Sequence, residues 1–453
     1  MQLLSSRSVV VFSKLAVHSY NFTLKNTIFK GVPAFRPKPK IMKLEKSQFG
    51  FIFSLELTQL LKVFDKYKFE IRLCGGAVRD ILLGKTPTDL DFATVATPYE
   101  MVEMLEKEEI RLINKGGLKH GTVTSHINGL NFEVTTLRID VITDGRHADV
   151  KFTKDWLLDA ERRDLTVNSM FLGMDGTLYD YFNGYEDLQK RHIRFVGDCR
   201  KRISEDYLRI LRYFRFYGRL ADTPNNHDKD ILDAIKEQGD GLKQISGERI
   251  WSELSKILEG NYGPELMKTI LNLGLGPHIG LPNYVDIDEF SKVTSKTKHL
   301  KLLPITMLSA LLKDAQEMLT LNNRLKFRVF DRELGLFLIE CRNDKWSPET
   351  IKKYKIKMIQ NVSKQNVMKE YVEQMLKYSN ETSILKEFEK WIPPKFPISG
   401  NMIRNKGIKD GRTIGRIIHK LIEYWADDDF MTSVDELLNL VPKAENESSG
   451  CKN

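Results

Sequence analysis

Two aspartates separated by one residue are the most chemically suggestive feature of the sequence. In TDLDFAT, Asp89 and Asp91 flank Leu90. On a strand, side chains alternate between faces, so both carboxylates would share one face while Leu90 and Phe92 point into the core. Neighbouring carboxylates repel each other unless a cation lies between them, and Mg²⁺ commonly uses one or two protein carboxylates together with water and phosphate oxygens. The pair predicts a magnesium site; the alternative is a solvated Asp-X-Asp at a strand edge.

Two adjacent glycines precede the aspartates. In LCGGAVRD, Gly75 and Gly76 separate a predicted strand (71–74) from a predicted helix (77–83). Without a Cβ, glycines allow backbone N–H groups at a helix start to approach a phosphate. Arg79, in the first helical turn, is unfavourable against the helix dipole unless an anion is bound there. The segment predicts a phosphate beside the metal; the alternative is an ordinary glycine turn.

Five further polar residues extend this site. Glu133 alternates with apolar neighbours in NFEVTT, so it is either a third carboxylate or an exposed hairpin residue. In DAERRDLTVNSM, Arg162 and Arg163 are candidates for binding phosphates. Asp164 is a candidate acceptor for a ribose hydroxyl, with Asn168 assisting. The alternative for this second segment is a surface cluster of salt bridges.

A predicted helix in SEDYLRILRYFRFYG (204–218) carries charged residues at every third position, namely Asp206, Arg209, Arg212 and Arg215. A carboxylate beside a guanidinium presents an acceptor next to a donor. Cytosine and adenine offer the matching edge, an amino group next to an unprotonated ring nitrogen, whereas uracil and guanine offer the opposite pattern. The helix therefore predicts selection of CTP and ATP; the alternative is a set of surface ion pairs.

The elements that must position these residues fall into two regions. From residue 51 to 185, short strand and helix patterns mix, with hairpin turns predicted at 128–129 (Asn-Gly) and 175–176 (Asp-Gly). Beyond Gly184 helical periodicities dominate, including a supporting helix in GERIWSEL with an Arg249–Glu253 pair. The predicted fold class is an α/β (α+β) head with a central sheet, followed by an elongated all-α region.

The positive charge of the chain is concentrated at its N-terminus. Lys and Arg number 70 against 61 acidic residues, but eight of the basic residues precede Glu45, the first acid. Without them, 62 basic residues face 61 acidic ones, so an anionic partner must meet a local basic patch. Residues 1–41 are typical of a mitochondrial presequence, or else of a basic disordered tail. Met42 is a candidate internal start for a cytoplasmic or nuclear form.

Two other classes of protein are not indicated. The four cysteines lie far apart without metal-ligand spacing, which favours reduced thiols over a zinc site or a disulfide framework. The longest apolar run, 302–312, is interrupted by Pro304 and is shorter than the roughly twenty residues that span a membrane. We therefore expect no membrane partner.

The chain closely resembles the class II CCA-adding tRNA nucleotidyltransferases of the polymerase β superfamily, specifically their mitochondrial and eukaryotic members. The resemblance is continuous over residues 50–265 and weaker beyond. It rests on five segments in the family's order: LCGGAVRD with DLD, RRDLTVN, DGTLYDYFNGYEDL, EDYLRILRYFRF and SGERIWSEL.

The resemblance implies a function and a site. Magnesium would deprotonate the 3′ hydroxyl of a tRNA that lacks its CCA end, for in-line attack on the α-phosphate of CTP or ATP, with release of pyrophosphate. The implied contacts are Gly76 and Arg79 to triphosphate, Asp89 and Asp91 to Mg²⁺, Arg163 and Asp164 to phosphate and ribose, and Asp206 and Arg209 to the base, with Arg212 and Arg215 nearby.

The resemblance also implies a domain organisation. The implied segments are the nucleotidyltransferase head (42–185), a base-recognising neck (186–265), a body (266–330) and a tRNA-binding tail (331–442). The polar composition of 443–453 separately predicts a disordered end. DGRH (144–147) falls where the family has a mobile loop involved in the change from CTP to ATP. The oligomeric state, monomer or homodimer, stays open.

Two alternative functions remain. A related poly(A) polymerase shares most of the motifs, but that group tends to carry an Arg-Arg-Phe segment where this chain has NKGGLKHGTVTSH. The other alternative is a tRNA-binding protein that has lost its activity, against which the intact Asp89, Asp91, Arg163, Asp206 and Arg209 argue.

Overall fold

A mixed eight-stranded sheet forms the N-terminal part of the protein, in a computed structural model that describes residues 38–113, 115–143 and 148–449. The strands are β1 (Lys40–Lys43), β2 (Ile71–Cys74), β3 (Asp91–Thr94), β4 (Arg111–Ile113), β5 (Thr122–Ile127), β6 (Leu130–Thr136), β7 (Arg138–Thr143), β8 (Ala148–Phe152), β9 (Phe171–Gly173) and β10 (Thr177–Asp180). The sheet order is β1-β10-β9-β2-β3-β6-β5-β4, and β7 pairs separately with β8. Strands β3 and β6 are parallel, while the other neighbours in the sheet are antiparallel.

Helices occupy the head between the strands and most of the chain beyond it. They are α1 (Lys46–Phe49), α2 (Leu55–Lys66), α3 (Gly76–Leu82), α4 (Pro98–Lys107), α5 (Trp156–Glu161), α6 (Gly184–Gln189), α7 (Cys199–Glu205), α8 (Arg209–Leu220), α9 (Lys229–Gln238), α10 (Gly247–Glu259), α11 (Gly263–Asn272), α12 (Gly276–Ile279), α13 (Ile287–Lys296), α14 (Pro304–Ser309), α15 (Ala315–Leu325), α16 (Val329–Cys341), α17 (Pro348–Gln360), α18 (Gln365–Tyr378), α19 (Thr382–Lys390), α20 (Gly400–Arg404), α21 (Gly411–Asp427), α22 (Val434–Asn439) and α23 (Val441–Ser449). Short 3₁₀ segments lie at Gly50–Ile52, Lys115–His120, Thr166–Asn168, Gly239–Gln244 and Val362–Lys364. The predicted class, a mixed α/β head followed by a helical region, is confirmed.

Local turn chemistry sets the registers of the hairpins. Asn128 and Gly129 both have positive φ, 44° and 89°, as a two-residue type I′ turn requires. This turn joins β5 and β6 at the predicted bounds. Gly176, with φ of 87°, likewise lies between β9 and β10, so the second predicted hairpin is also present.

The alternation of side chains along the strands gives the sheet two apolar faces. Leu73 and Phe92 belong to the main apolar cluster, which also contains residues of α2, α3 and α4. Their sequence neighbours Cys74 and Ala93 belong to a smaller cluster with Trp156 of α5. Because a strand has a period of two, polar residues aligned with Ala93 lie on this second face.

The main apolar cluster extends from Leu44 to Phe388 and so crosses both predicted boundaries at 265 and 330. A second cluster contains residues from Ile359 to Ala444. The predicted tail would begin at residue 331, but residues as far as Phe388 still belong to the main cluster. A separate core is formed only by the last helices. The boundaries of neck, body and tail remain predictions.

The predicted continuous helix over 204–218 is wrong at its start. Helix α7 ends at Glu205, Asp206 is extended with φ −155° and ψ 103°, and α8 begins at Arg209. Asp206 Oδ1 accepts a hydrogen bond from the Leu208 backbone N–H at 3.1 Å. A short carboxylate side chain commonly competes in this way with the helical hydrogen bonds of the backbone.

The two ends of the chain also differ from the predictions. Lys40 and Ile41 pair with Asp180 and Tyr179 of β10, so the predicted leader over 1–41 includes two residues of the sheet. A chain starting at Met42 would lose half of β1. At the other end α23 makes the predicted disordered end helical as far as residue 449, because apolar residues of α23 are buried in the second cluster.

Some expectations lie outside the described residues, namely most of the leader (1–37), the 144–147 loop and residues 450–453. The three cysteines in the described part, Cys74, Cys199 and Cys341, are free thiols. Within the same part, the helices are either too short or too polar to cross a membrane.

Gly184, the first residue of α6, packs against the segment that carries Asp164 and Asn168. A Cβ at this position would overlap the carbonyl group of Thr166. We predict that Gly184→Ala lowers the free energy of unfolding by about 1–3 kcal/mol, because backbone must move to relieve the overlap.

The measurement is urea unfolding of both proteins, with Gly415→Ala as the matched control. Gly415 lies inside α21 with nothing within 4 Å of a Cβ. The control should raise the free energy of unfolding by about 0.5–1 kcal/mol, since alanine favours a helix. Equal stabilities of Gly184→Ala and the unmodified protein would contradict the packing described.

Candidate active site

A cleft of about 1090 Å³ brings nearly all the predicted site residues together. It lies between α3, the start of β3, the segment after α5, and helices α8 and α10. The predicted residues that line it are Gly75, Gly76, Arg79, Asp89, Asp91, Arg162, Arg163, Asp164, Asn168, Asp206, Arg209, Arg212 and Arg215. Residues separated by more than a hundred positions in sequence therefore share one cavity.

Carboxylates gather at the start of β3. Asp91 is the first residue of β3 and is aligned with Glu133 on the parallel strand β6. Asp89 lies in the exposed segment just before the strand, not in the strand as predicted. The pKa of Asp91 is raised, first by loss of water around its carboxyl group and then by the negative charges of Glu133 and Asp89. This end of the cleft is thus poised to attract a cation.

The glycine pair faces two guanidinium groups. Gly75 has φ of 66° and ψ of −127°, a conformation that essentially only glycine adopts. A Cβ on Gly75 would lie 3.4 Å from Arg163 NH1, and one on Gly76 would lie 3.5 Å from Arg79 NH2. Backbone and guanidinium donors therefore line the same narrow space, as a phosphate site requires.

Arg79 is only 2% exposed and is held by two partners. Its Nε and NH2 donate to Asp80 Oδ1, both at 3.1 Å, and its NH1 donates to Asn168 Oδ1 at 2.6 Å. Burial lowers the pKa of Arg79, and the charge of Asp80 partly offsets that effect. Asp80 also accepts from Arg219 NH2 at 2.8 Å. Neither Asp80 nor Arg219, both of which line the cleft, was predicted from the sequence.

Asp159 performs the same role for the next two arginines. It is 1% exposed and accepts from Arg162 Nε at 2.8 Å and from Arg163 NH2 at 2.9 Å. Burial alone would raise the pKa of Asp159, but the charges of Arg163 and Arg162 outweigh it and the pKa is lowered. The spacing of Asp159 from both arginines, i,i+3 and i,i+4 at the end of α5, is the sequence signal that identifies this residue.

Two arginines of α8, Arg212 and Arg215, pair with carboxylates on other elements. Arg212 donates from Nε to Asp164 Oδ2 at 2.6 Å, and Arg215 donates from NH1 to Glu253 Oε1 at 2.9 Å. Burial would raise the pKa of Asp164, yet the adjacent Arg212 holds it below its ordinary value. The partner of Glu253 is therefore Arg215, and the predicted Arg249–Glu253 pair is wrong.

Asp206 and Arg209 both line the cleft. The Arg209 backbone N–H donates to the Asp206 carbonyl oxygen at 2.9 Å, but the two side chains bond to other groups. Asp206 Oδ2 accepts from Arg249 NH2 at 2.9 Å. Arg209 donates to Glu205 Oε2 at 2.7 Å and to the carbonyl oxygens of Arg202 and Arg162 at 2.9 and 3.1 Å. Because the helix begins only at Arg209, the two side chains do not follow the helical spacing that the prediction assumed. Arg249 is a further cleft residue that the sequence did not indicate.

The raised pKa of Asp91 predicts a pH dependence of stability. A carboxyl group with a folded-state pKa above its unfolded value destabilises the fold once it is ionised, so the penalty is present at neutral pH and disappears as the pH falls towards 3.8. We expect Asp91→Asn to unfold at a higher temperature than the unmodified protein at pH 7, with a smaller difference at pH 5. Asp233→Asn, on the exposed side of α9, is the control against which the difference is measured at both pH values. A difference that grows on acidification would exclude this account of the carboxylate cluster.

Comparisons with known proteins bear on the fold and the family of the chain. Residues 71–194 match the family profile described as the Poly A polymerase head domain, and residues 227–283 match the one described as a probable RNA and SrmB-binding site of polymerase A. Among solved structures, the Bacillus stearothermophilus CCA-adding enzyme in complex with CTP has the same fold, with a TM-score of 0.66, 22% identity and coverage of 87% of this chain and 98% of the other.

Similarity in sequence is closer among animal proteins. The mitochondrial CCA tRNA nucleotidyltransferase 1 of Mus musculus is 48% identical over 89% of this chain and 93% of its own length. The Danio rerio protein of the same name is 47% identical, over 89% of this chain and 94% of its own length. With such identity along nearly the full length of these relatives, the chain belongs to the CCA tRNA nucleotidyltransferase family.

Proposed function

We propose that this protein is a CCA tRNA nucleotidyltransferase that adds C, C and A to the 3′ end of tRNA, without a template, from CTP and ATP. The observation that carries the proposal is a cleft lined together by carboxylates, by Gly75 and Gly76 with the neighbouring guanidinium groups, and by Asp206 and Arg209. Membership of the family supports the same reaction. Mouse, human and zebrafish relatives carry this activity in their names.

A divalent metal ion belongs to this reaction, and Mg²⁺ is the ion that we propose. Asp89 and Asp91 would hold it through hard carboxylate oxygens, close to the charge of Glu133. Among the residues that the structure describes, no group of three or more His, Cys, Asp or Glu side chains could hold a metal by itself. That finding fits Mg²⁺, which completes its shell with water and substrate phosphates. When bound, the ion activates the tRNA hydroxyl and offsets charge on the reacting phosphate.

The residues of the chain bind and orient the substrates. The triphosphate would lie against the backbone of Gly75 and Gly76, between Arg79 and Arg163. In-line attack by the 3′ oxygen on the α-phosphate forms the new phosphodiester bond and breaks the bond to the β-phosphate, so pyrophosphate leaves. The cations near Gly76 would then stabilise the negative charge that develops on the departing group.

Asp206 and Arg209 would read the incoming base through one acceptor and one donor. Both line the cavity, and hydrogen bonds fix their side chains: Arg249 bonds Asp206, while Glu205 and two backbone carbonyl groups bond Arg209. Fixed side chains discriminate better than mobile ones because mismatched groups are left unpaired in a rigid site.

The partners and the location follow from the family. One solved relative of the same fold, a Thermotoga maritima CCA-adding enzyme, is described as complexed with a tRNA. We infer that the helical region beyond the cleft binds tRNA and that the protein acts in mitochondria, as the names of its relatives indicate. A second form that starts at Met42 would act in the cytoplasm or nucleus.

Nucleotide incorporation into a truncated tRNA tests the function directly. The assay combines purified protein, Mg²⁺, a tRNA transcript lacking its 3′ CCA, and labelled CTP, ATP, GTP or UTP. We expect addition of two C and one A, and loss of incorporation in Asp89→Asn and Asp91→Asn. Long A tails would identify a poly(A) polymerase, and no incorporation by the unmodified protein would identify a tRNA-binding protein without this activity.

Replacement of Asp206 tests the base-reading role. Asp206→Ala removes one charged acceptor, so discrimination against UTP and GTP should fall by about ten- to a hundredfold while transfer of C persists. The matched variant Arg249→Gln breaks the ion pair but leaves the acceptor in place, so it should lose less discrimination than Asp206→Ala, because Asp206 is present but held less firmly. If Arg249→Gln loses the discrimination and Asp206→Ala keeps it, the base is read at Arg249 instead.

A further inference from the structure

Arg219 is a cleft residue outside the predicted set. It lies in the last turn of α8, seven residues after Arg212 and therefore on the same face of the helix. Its side chain is 51% exposed, and it lines the cavity that holds the glycine pair. One of its five N–H donors is used on Asp80 Oδ2 at 2.8 Å. A guanidinium that is anchored on one edge and open to solvent elsewhere is well placed to bind an anion.

Asp80, Arg79 and Arg219 form a cluster whose charges do not cancel. This carboxylate is 7% exposed and bonds two guanidinium groups, those of Arg79 and Arg219, so the three side chains together carry one excess positive charge. Asp159 shows the same arrangement with two arginines. Asn168 touches both clusters, because its side-chain oxygen accepts from Arg79 and its backbone oxygen accepts from Arg163.

The two clusters therefore add a net positive charge around the Gly75–Gly76 turn. We propose that Arg219 contacts the polyphosphate of the bound nucleotide, and that Asp80 positions Arg219 and Arg79 for this contact. The inference rests on the proposed nucleotidyl transfer and adds a phosphate-binding residue to it. Guanidinium–phosphate hydrogen bonds are charge-assisted and stronger than neutral ones. Since CTP and ATP share the triphosphate, Arg219 should act on both equally and should not affect the choice of base.

The test compares Arg219→Gln and Arg219→Lys with Arg200→Gln. Arg200 is a matched control because its side chain is 45% exposed, it forms a two-bond pair with Glu237, and it lies outside the cleft lining. We expect Arg219→Gln to raise KM for both CTP and ATP about tenfold and to weaken product inhibition by pyrophosphate by a similar factor. Discrimination against UTP and GTP should stay unchanged, and Arg219→Lys should recover much of the loss.

The role of Asp80 is tested by a double-mutant cycle. Asp80→Asn should raise both KM values, and its combination with Arg219→Gln should raise them less than the product of the two single effects, because the two side chains act through one contact. Multiplying effects would mean that Asp80 does not act through Arg219.

Three results would overturn the proposal for Arg219. They are KM values in Arg219→Gln equal to those in Arg200→Gln, an effect on only one of the two nucleotides, and equal effects of the Lys and Gln variants. The comparison of the Lys and Gln variants remains informative even if Arg219→Gln is less stable than the unmodified protein. Both variants remove the guanidinium group, but only lysine retains the positive charge. If the unmodified protein adds no nucleotide, the proposed function fails, and equilibrium dialysis with labelled CTP then tests the Arg219 contact separately. Weaker CTP binding by Arg219→Gln would support the phosphate contact, and equal binding would contradict it.

Discussion

Two buried carboxylates, each bonded to two guanidinium groups, hold the phosphate-binding side of the cleft in place. Asp80 joins Arg79 to Arg219, and Asp159 joins Arg162 to Arg163. An isolated buried charge is strongly unfavourable, so the buried Asp80 and Asp159 need their arginines and the buried Arg79 needs its carboxylate. A carboxylate that is shared by two guanidinium groups is neutralised within the fold, and one positive charge remains to bind a substrate. Structural stability and anion binding thus depend on the same contacts.

These contacts also connect the head to the first helices beyond it. Asp80 and Asp164 belong to the head, whereas their partners Arg219 and Arg212 belong to α8. Arg209 at the start of the same helix donates to the backbone carbonyl of Arg162. The ring of Phe216 lies close to three of the arginines in the cleft. The guanidinium carbons of Arg79, Arg212 and Arg215 are 5.2, 5.5 and 4.4 Å from its centroid, within range of cation–π attraction. The helix expected to read the base is therefore fixed by the elements expected to hold the phosphates.

Several features of the site were predictable because they depend on local geometry. The strand Ile71–Cys74, the glycine turn and the following helix occur as expected, and Gly75 has the positive φ that favours glycine. The turn at Asn128-Gly129 fixed the register of β5 against β6, in which Glu133 is aligned with Thr124. Such features need only neighbours a few positions away, so the amino-acid types are sufficient to indicate them.

The pairing of charges was not predictable from spacing in the same way. The helical period favoured Arg249 with Glu253 and Asp206 beside Arg209, but the observed partners are Arg215 with Glu253 and Arg249 with Asp206. Both observed pairs join different elements, α8 with α10 and the α7–α8 junction with α10. An ion pair along one helix is worth only a few tenths of a kcal/mol, so packing between elements readily replaces it.

The sequence by itself determined the classes of chemistry: two carboxylates for a cation, glycines and arginines for phosphates, and a family with a known order of motifs. Only the tertiary structure decided which carboxylate neutralises which arginine, and therefore where positive charge remains uncompensated. Asp80 and Arg219 are 139 residues apart and meet at 2.8 Å. The physical reason is that charge balance in a cleft depends on distances through space, which chain spacing does not specify beyond a few residues.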